Sequence, residues 1–500
     1  MNIVFVTLGL SIGLVMAAEP DPEILILRKQ LAEQQKQIDE LRDMLKSQQM
    51  LLARVLPAAE PKVEVATVTQ KAPELKAPEL KTLSADVEKI GRNLGGFAFS
   101  GDFRYRLDLQ NRHANALASG LQNDRNRYRV RLNVDKQINP QFKFHLQLST
   151  GSYINQLTND QDFGAFGVKV PFSIAEASMS YAPTKNITLS VGRMREAFFD
   201  DTRFVWDDDI RFTGFEQKIR LPFSAGKLFK SFELRAGEYV LTNPNTLIVP
   251  PDSTTTPSPY ARAGFPVGTR VGATNLFHPG AVISGDLGAG WTHQIIFDTQ
   301  VWRNPNQIAL ASTSFGPNGL INGPLGLTIS GPIAASANGL TAPGGAMFTA
   351  KDFTIPRIDY RLDRTNFLTL GGKTLPGYFE FQVSRNTSAA FLRDAVMGLV
   401  SVGAVRKPGD GRFLYSYSIK DANALIAQFT DDDMGNGAGV NSAVHHFRFD
   451  VGLTRFLSWQ NLFFVLNPRR GSNPSQQFYV LVPRGANTTY RFLSQLAFTF

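Results

Sequence analysis

The 500-residue chain contains no cysteine, and this absence excludes several kinds of protein. A disulfide framework, a thiolate metal site, a cysteine nucleophile and a lipid-bearing cysteine all require that residue. Hydrophobic residues make up only 43% of the chain. Because each membrane helix needs about 20 predominantly apolar residues, this composition argues against a bundle of such helices.

Complete catalytic and metal-binding motifs are also lacking. Residues 372–374 resemble the end of a phosphate-binding loop, but its first glycine is replaced by Phe367. Residues 431–435 resemble a calcium loop that lacks one oxygen ligand and the closing glutamate. The histidines at 445–446 are adjacent on a strand, so they point to opposite faces. The sequence therefore predicts no enzyme, no metal site and no cofactor.

The net charge of +9 is unevenly distributed along the chain. Residues 19–95 hold 13 acids and 12 bases, a balance of −1. Residues 96–500 therefore hold the other 30 acids and 40 bases, a balance of +10. The positive excess belongs to the C-terminal four-fifths of the chain.

The N-terminus begins with an uncharged, mostly apolar run that ends in small residues before Glu19. The run is short for a membrane span and ends in a suitable cleavage site, so residues 1–18 are predicted to be a secretory signal. Its start lacks the usual basic side chain, which leaves an uncleaved anchor or a buried helix as the alternative.

Residues 21–56 have apolar side chains at alternating spacings of three and four, which is typical of a coiled coil. The alternative is one amphipathic helix packed on its own domain, but the apolar stripe is narrow and a linker follows it. We expect a parallel trimer in preference to a dimer. The predicted oligomerisation residues are Ile24, Leu27, Leu31, Gln34, Ile38, Leu41, Leu45, Gln48, Leu52 and Val55.

A spacer follows the predicted coiled coil. Pro57 ends the helix, and residues 57–80 contain the repeat Lys-Ala-Pro-Glu-Leu. Proline at this spacing favours an extended, semi-rigid linker. Residues 81–95 then have the apolar spacing of a short amphipathic helix.

From residue 97 onwards the apolar period becomes two, which is the period of a β-strand. In residues 97–109 apolar side chains, mostly aromatic, occupy one face and polar side chains the other. Residues 127–135, 142–149 and 490–500 repeat the arrangement. A soluble sheet with one wet face produces this pattern, and so does a barrel with lipid outside and water inside.

Strand and loop lengths favour the membrane barrel. The strands are long enough to span a bilayer when tilted. Short and long connections alternate, as in outer-membrane barrels, and the chain ends on the aromatic Phe500. We predict an all-β transmembrane barrel over residues 96–500 with 16 antiparallel strands, and 18 strands as the alternative. The predicted short turns lie near 139–140, 183–186, 224–230, 288–290, 362–366, 407–411 and 457–460.

Several phrases of this region resemble a known family, the putative porins of Gram-negative-type bacteria. They are FSGDFRYR at 99–106, RYRVRL at 127–132, WDDD at 206–209 and the stretch 407–433. The resemblance covers residues 95–240 and 390–500 and does not extend obviously to 243–281 or 304–352. It implies a passive, trimeric outer-membrane channel, in several members preceded by a coiled coil, and it names no solute.

Basic side chains are concentrated on the polar face of the first strands, and barrel closure brings the last strand beside them. A charge on the lipid face near mid-bilayer costs about 2–4 kcal/mol, so we expect these side chains to face the lumen. A positive wall raises the local anion density, which predicts an anion preference. The alternative is that these side chains only solvate the channel wall or pair with Asp102, Asp108 and Asp135. The predicted pore-lining residues are Arg104, Arg106, Arg127, Arg129, Arg131, Lys143, His145, Arg448 and Arg491.

The third long connection, near 195–210, is rich in aspartate. In general porins, which this chain resembles, the corresponding loop folds inward and narrows the channel opposite a basic wall. The alternative is a hydrated surface loop that binds divalent cations. The predicted constriction-loop residues are Asp200, Asp201, Asp207, Asp208 and Asp209.

Two functions fit these observations. One is a diffusion channel for small hydrophilic solutes or ions, a homotrimer in contact with outer-membrane lipid and without nucleic acid as a partner. The other is a structural anchor that tethers a periplasmic rod, residues 21–56, to the envelope. No wall-binding module is recognisable between the signal and the barrel, which favours the channel.

Overall fold

A computed structural model describes residues 95–116, 120–151, 157–164, 169–242, 246–247, 270–308, 338, 340–341, 347–348, 350, 352–434, 439–469 and 487–500. The predicted signal (1–18), coiled coil (21–56) and linker (57–80) lie outside the described residues. The predicted helix 81–95 also lies outside them, except for Gly95, which is in a turn. No helix in the described part of the chain is long and apolar enough to cross a membrane.

Sixteen strands form one antiparallel sheet in which strands consecutive along the chain are hydrogen-bonded neighbours. They are β1 (Phe97–Arg112), β2 (Leu121–Gln137), β3 (Phe142–Ser149), β4 (Ser173–Thr184), β5 (Ile187–Met194), β6 (Phe212–Ala225), β7 (Phe229–Thr242), β8 (Thr274–Gly288), β9 (Trp291–Arg303), β10 (Thr354–Leu370), β11 (Lys373–Arg385), β12 (Asp394–Gly403), β13 (Gly411–Lys420), β14 (Ser442–Gly452), β15 (Leu457–Pro468) and β16 (Thr489–Thr499). Two-residue strands pair locally in the long connections; they are Gln161–Asp162, Thr246–Leu247, Arg270–Val271, Leu340–Thr341 and Met347–Phe348.

The first and last strands close the sheet into a barrel. β1 pairs with β16 from Asp102 opposite Thr499 to Asn111 opposite Tyr490. Gly101 and Phe500 exchange backbone hydrogen bonds of 2.9 and 3.1 Å at the end of this ladder. Closure leaves no unpaired sheet edge, which a strand-built membrane protein requires. The prediction of 16 strands is confirmed, and the alternative of 18 is wrong.

The period-two pattern separates the outer and inner surfaces of the barrel. On β1, Phe99 and Phe103 are 54% and 43% exposed, whereas the intervening Asp102 is 8% exposed and Arg104 is 4% exposed. Large apolar side chains are exposed in the same way on the other strands, for example Phe379 on β11 and Phe463 on β15. An apolar outside and a charged inside are the pattern of a barrel that crosses lipid.

Two of the predicted turns are misplaced. The turn expected near 362–366 lies at Gly371–Gly372, because β10 continues past an irregularity in its pairing between Arg364 and Leu368. Both glycines have positive φ, +56° and +76°, as a tight two-residue hairpin requires. The turn expected near 457–460 lies at 453–456, so β15 begins at Leu457.

The first long connection is also shorter than predicted. The alternation over 97–109 and again over 127–135 predicts a connection at 110–126, but β1 continues to Arg112 and β2 begins at Leu121. In this extension polar residues lie opposite one another in the ladder, for example Asn111 and Gln122. The apolar alternation stops before these residues although the backbone hydrogen bonds continue, so the sequence pattern placed the strand ends too early.

Candidate functional site inside the barrel

Loop 3, residues 195–211, connects β5 to β6 and lies against the inner wall of the barrel. Its Phe204 and Trp206 are at most 3% exposed, although they belong to a connection between strands. The Trp206 ring centroid is 5.1 Å from that of Phe212 on β6 and 6.3 Å from that of Trp302 on β9. Burial of these aromatic rings holds the loop inside the barrel, where it occupies part of the lumen.

Loop 7, residues 421–441, connects β13 to β14 and packs beside loop 3. The Phe429 ring stacks on Trp302 with centroids 5.2 Å apart. The Asp207 amide donates a 3.0 Å hydrogen bond to the Phe429 carbonyl oxygen. Two loops therefore share one apolar cluster inside the barrel. Sequence analysis missed this position of loop 7, although its apolar run at 424–429 was a signal.

The first half of loop 3 is fixed to the wall formed by β8, β9 and β10. Asp200 accepts a 2.7 Å hydrogen bond from Arg357 Nη1. The Arg357 Nε donates to Asp298 at 2.8 Å, and the other Asp298 oxygen lies 2.8 Å from His278 Nε2. The Asp201 side chain, in contrast, is 94% exposed. Asp200 and Asp201, two adjacent residues of the predicted constriction loop, therefore differ: the first is bonded to the barrel wall and the second is exposed.

The second half of loop 3 faces the arginines of β2. Asp209 accepts hydrogen bonds of 2.9 Å from both the backbone and the side-chain amide of Asn159, and it lies 3.6 Å from Arg129. Asp208 lies 3.3 Å from Arg203 of the same loop. Burial raises the pKa of Asp208, but Arg203 and other arginines outweigh it and hold that pKa below the usual range.

Loop 2, residues 150–172, supplies an acid that sequence analysis missed. Asp160 lies 2.5 Å from Arg104 and 3.0 Å from Arg106, and its side chain is fully buried. The short strand Gln161–Asp162 pairs with β2 and fixes this position. Although burial raises the pKa of Asp160, Arg104 and Arg106 lower it further, so the carboxylate is ionised. No local spacing signalled this contact, because its partners are more than 50 positions earlier in the chain.

The remaining predicted pore-lining residues also have acidic partners within 4.0 Å. The pairs are Arg127 with Asp162, Arg129 and Arg131 with Asp102, Lys143 and His145 with Asp135, Arg448 with Asp450, and Arg491 with Asp108. The predicted pore-lining residues other than Arg448 all lie on β1, β2, β3 or β16. We call the surface that they form, including Arg491 on β16, the β1–β3 wall. Asp209, Glu176 and Asp433 also lie within 4.0 Å of Arg129, His145 and Arg491. Eight acids therefore contact the eight basic side chains of this wall and balance their charge locally.

Acidic side chains of loop 7 surround an arginine of loop 3. Arg203 Nη1 lies 3.2 Å from Asp431 and 2.7 Å from Asp433. Burial raises the pKa of Asp431 to about 7, against the opposing effect of Arg203. Burial and Asp433 raise the pKa of Asp432 to about 6. Burial also raises the pKa of Asp433, but Arg491 outweighs it and keeps that pKa well below its usual range.

Two groups of three aspartates within the described residues bring carboxylate oxygens within 4.8 Å of one another, at 207, 208 and 431 and at 431–433. Oxygen ligands of this kind suit a hard cation such as Ca²⁺. The Arg203 guanidinium already supplies positive charge to Asp431 and Asp433. Arg106 and Arg491 also lie within 3.5 Å of Asp433, so arginines supply positive charge to part of this acidic cluster.

A family model described as "Putative porin" matches residues 97–275. No curated protein matches the chain. The chain is similar to the anion-selective porin from Comamonas acidovorans, with 11% identity, 81% of this chain and 99% of that chain covered, and a TM-score of 0.40. It is also similar to Pseudomonas putida OprB, with 10% identity, 85% and 96% covered, and a TM-score of 0.43.

The family match covers the first part of the barrel, from β1 into the start of β8. Together with the closed sixteen-strand barrel, it indicates an outer-membrane channel. The resemblance to the putative porins is confirmed over residues 97–275, which include the phrases at 99–106, 127–132 and 206–209 but not the stretch 407–433.

Proposed function

We propose that this protein is a passive diffusion channel for small hydrophilic solutes in the bacterial outer membrane, assembled as a homotrimer. The closed barrel of 16 strands, apolar outside and charged inside, is the observation that carries the proposal. Barrels of this size leave an aqueous passage. Loops 3 and 7 narrow that passage from within, so only small solutes pass.

The proposal includes a preference for anions. The barrel segment, residues 96–500, carries a net charge of +10. Because the β1–β3 wall is balanced by acidic side chains, we assign the preference to arginines elsewhere in the lumen. Arg406 in the turn after β12 has no acidic partner within 4.0 Å in the part of the chain that the structure describes, and Arg412 on β13 shares Asp450 with Arg448. Unpaired positive charge of this kind raises local anion density.

Single-channel recording of the purified, folded protein in planar bilayers tests the proposal. We expect discrete current steps in potassium chloride and a reversal potential of the sign that anion selectivity gives across a salt gradient. Mass measurement in detergent tests the trimer. Folded protein that gives no current would overturn the channel and favour the alternative, an outer-membrane anchor for a periplasmic rod at residues 21–56.

A further inference from the structure

A polar cavity lies on the inner side of β10 to β15, near their short turns. Its volume is about 640 Å³, within the range of roughly 300–1,000 Å³ that small-molecule sites occupy. We call it the short-turn cavity. Arg361, Arg364, Arg406 and Arg412 line it, together with Tyr378 and Gln460.

The short-turn cavity has an excess of positive charge. Three arginines with inward-facing side chains, Arg361, Arg406 and Arg412, line it together with two acids, Asp363 and Asp450. Arg361 is paired with Asp363 and lies 3.7 Å from Glu380. Asp450 accepts hydrogen bonds from two guanidinium groups, those of Arg412 (2.9 Å) and Arg448 (2.9 Å). One carboxylate shared by two arginines leaves one positive charge uncompensated at this point.

One further arginine of the cavity, Arg406, lacks an acidic partner among the described residues. It is exposed and makes no ion pair through its side chain. Arg364 also borders the cavity, but its guanidinium lies 4.8 Å from the ring centroid of Trp291, which packs through Phe367 on the outward-facing Phe379. Arg406 therefore has a guanidinium free to form charge-assisted hydrogen bonds with an oxyanion.

Arg361 presents an ordered guanidinium to the same space. Its carbon Cζ lies 3.7 Å from the ring centroid of Tyr378, and its Nε and Nη2 donate to Asp363 at 2.8–3.1 Å. Stacking of this kind fixes the plane of the guanidinium. Guanidinium groups bind carboxylates and phosphates through paired hydrogen bonds, because their planar geometries match.

We propose that the short-turn cavity is a binding site for a small oxyanion that carries carboxylate or phosphate groups. The inference rests on the proposed function and names a solute class for that channel. A negative charge on the solute matches the local positive excess, and the cavity volume accommodates a small organic acid. Arg406 and Arg412 carry the affinity, since Arg406 has no protein partner and Arg412 shares its own.

The experiment uses succinate and inorganic phosphate as probes against a chloride current through single channels. We expect each probe to reduce the current with a saturating concentration dependence. The double variant Arg406→Gln, Arg412→Gln should weaken that inhibition at least about tenfold, the size expected for lost charge-assisted hydrogen bonds. Asp450 keeps Arg448 as its partner in this variant, so the barrel should fold.

The matched control is Arg455→Gln. Arg455 is exposed in the turn before β15, over the Phe456 ring, and does not line the cavity. This variant removes one positive charge, against two in the double variant, from the same end of the barrel but outside the cavity, so inhibition by succinate should not change. Equal inhibition of the wild type and the double variant, or inhibition that never saturates, would overturn the site. The probe that inhibits the chloride current at the lower concentration shows whether the site prefers carboxylate or phosphate groups.

Isothermal titration of the detergent-solubilised protein separates this inference from the proposed function. Heat of succinate or phosphate binding that disappears in the double variant supports the site even where no current flows. Absence of current with intact binding contradicts only the channel. Absence of saturable binding in the wild type contradicts only the site.

Discussion

The arginines of the β1–β3 wall and those of the short-turn cavity differ in what surrounds them. Arg104 and Arg106 are buried under Asp160 of loop 2, and Arg491 contacts Asp108 and Asp433. In the short-turn cavity the arginines outnumber the acids, and no long loop contributes to the lining. The density of basic residues in the sequence therefore does not show where the positive electrostatic potential of the lumen lies. Acids carried by loops decide where that potential remains.

The largest contrast between the two regions concerns stability. Asp160→Asn leaves the buried Arg104 without its carboxylate and Arg106 with Asp433 alone, and breaking a buried ion pair costs about 3–5 kcal/mol. Arg406→Gln removes an exposed side chain without an ion pair, so its effect should stay within about 0.5 kcal/mol. Urea unfolding of the barrel in detergent measures both. Similar destabilisation by the two variants would contradict the comparison, and Asp201→Asn serves as an exposed acidic control.

The contact between loops 3 and 7 is a second difference between the part of the lumen that long loops cover and the short-turn cavity, to which no long loop contributes. Phe429→Ala removes the ring that stacks on Trp302, and truncating a buried aromatic costs about 3 kcal/mol or more. The loops should separate, and single-channel conductance should rise. Phe391→Ala, at a ring that is 57% exposed, should leave the conductance unchanged. Unaltered conductance in the Phe429 variant would show that this contact does not narrow the channel.

The pH dependence of the same contact follows from Asp431 and Asp432. Burial raises their pKa values to about 7 and 6. A carboxyl with a raised pKa holds its proton more tightly in the packed loops, so packing is favoured at low pH and weakens as the pH rises through 6 and 7. Asp208 and Asp433, whose pKa values are lowered, stay ionised over this window.

Conductance should therefore be greater at pH 8 than at pH 5. Asp431→Asn should reduce the difference, because one of the two titrating groups is then absent. Recordings at the two pH values at constant ionic strength measure the effect. Equal conductance, or greater conductance at pH 5, would contradict the assignment to these carboxyls.

The sequence predicted the barrel well because alternation is a local property. Phe99 and Asp102 were assigned to opposite faces by spacing alone, and the closed structure has them there. The turn at Gly371–Gly372 was missed because the apolar pattern of β10 ends several residues before its hydrogen-bond ladder. Side-chain alternation alone therefore does not locate the ends of the strands.

The interior was less predictable than the wall. The arginines of β1 and β2 were identified, but Asp160 and Asp433 reach them from loops 2 and 7. These contacts join distant parts of the chain, and a single sequence carries no periodic signal for them. The short-turn cavity was missed for a similar reason, because six consecutive strands must curve before their arginines face one space.

Ion selectivity tests the central claim most directly. The paired variant Arg129→Gln, Asp102→Asn removes one charge of each sign from the β1–β3 wall, whereas Arg406→Gln removes one positive charge from the short-turn cavity. Reversal potentials across a potassium chloride gradient compare them with the wild type. We predict no shift for the paired variant and a shift toward cations for Arg406→Gln. A shift for the paired variant alone would contradict the account and return the selectivity to the β1–β3 wall.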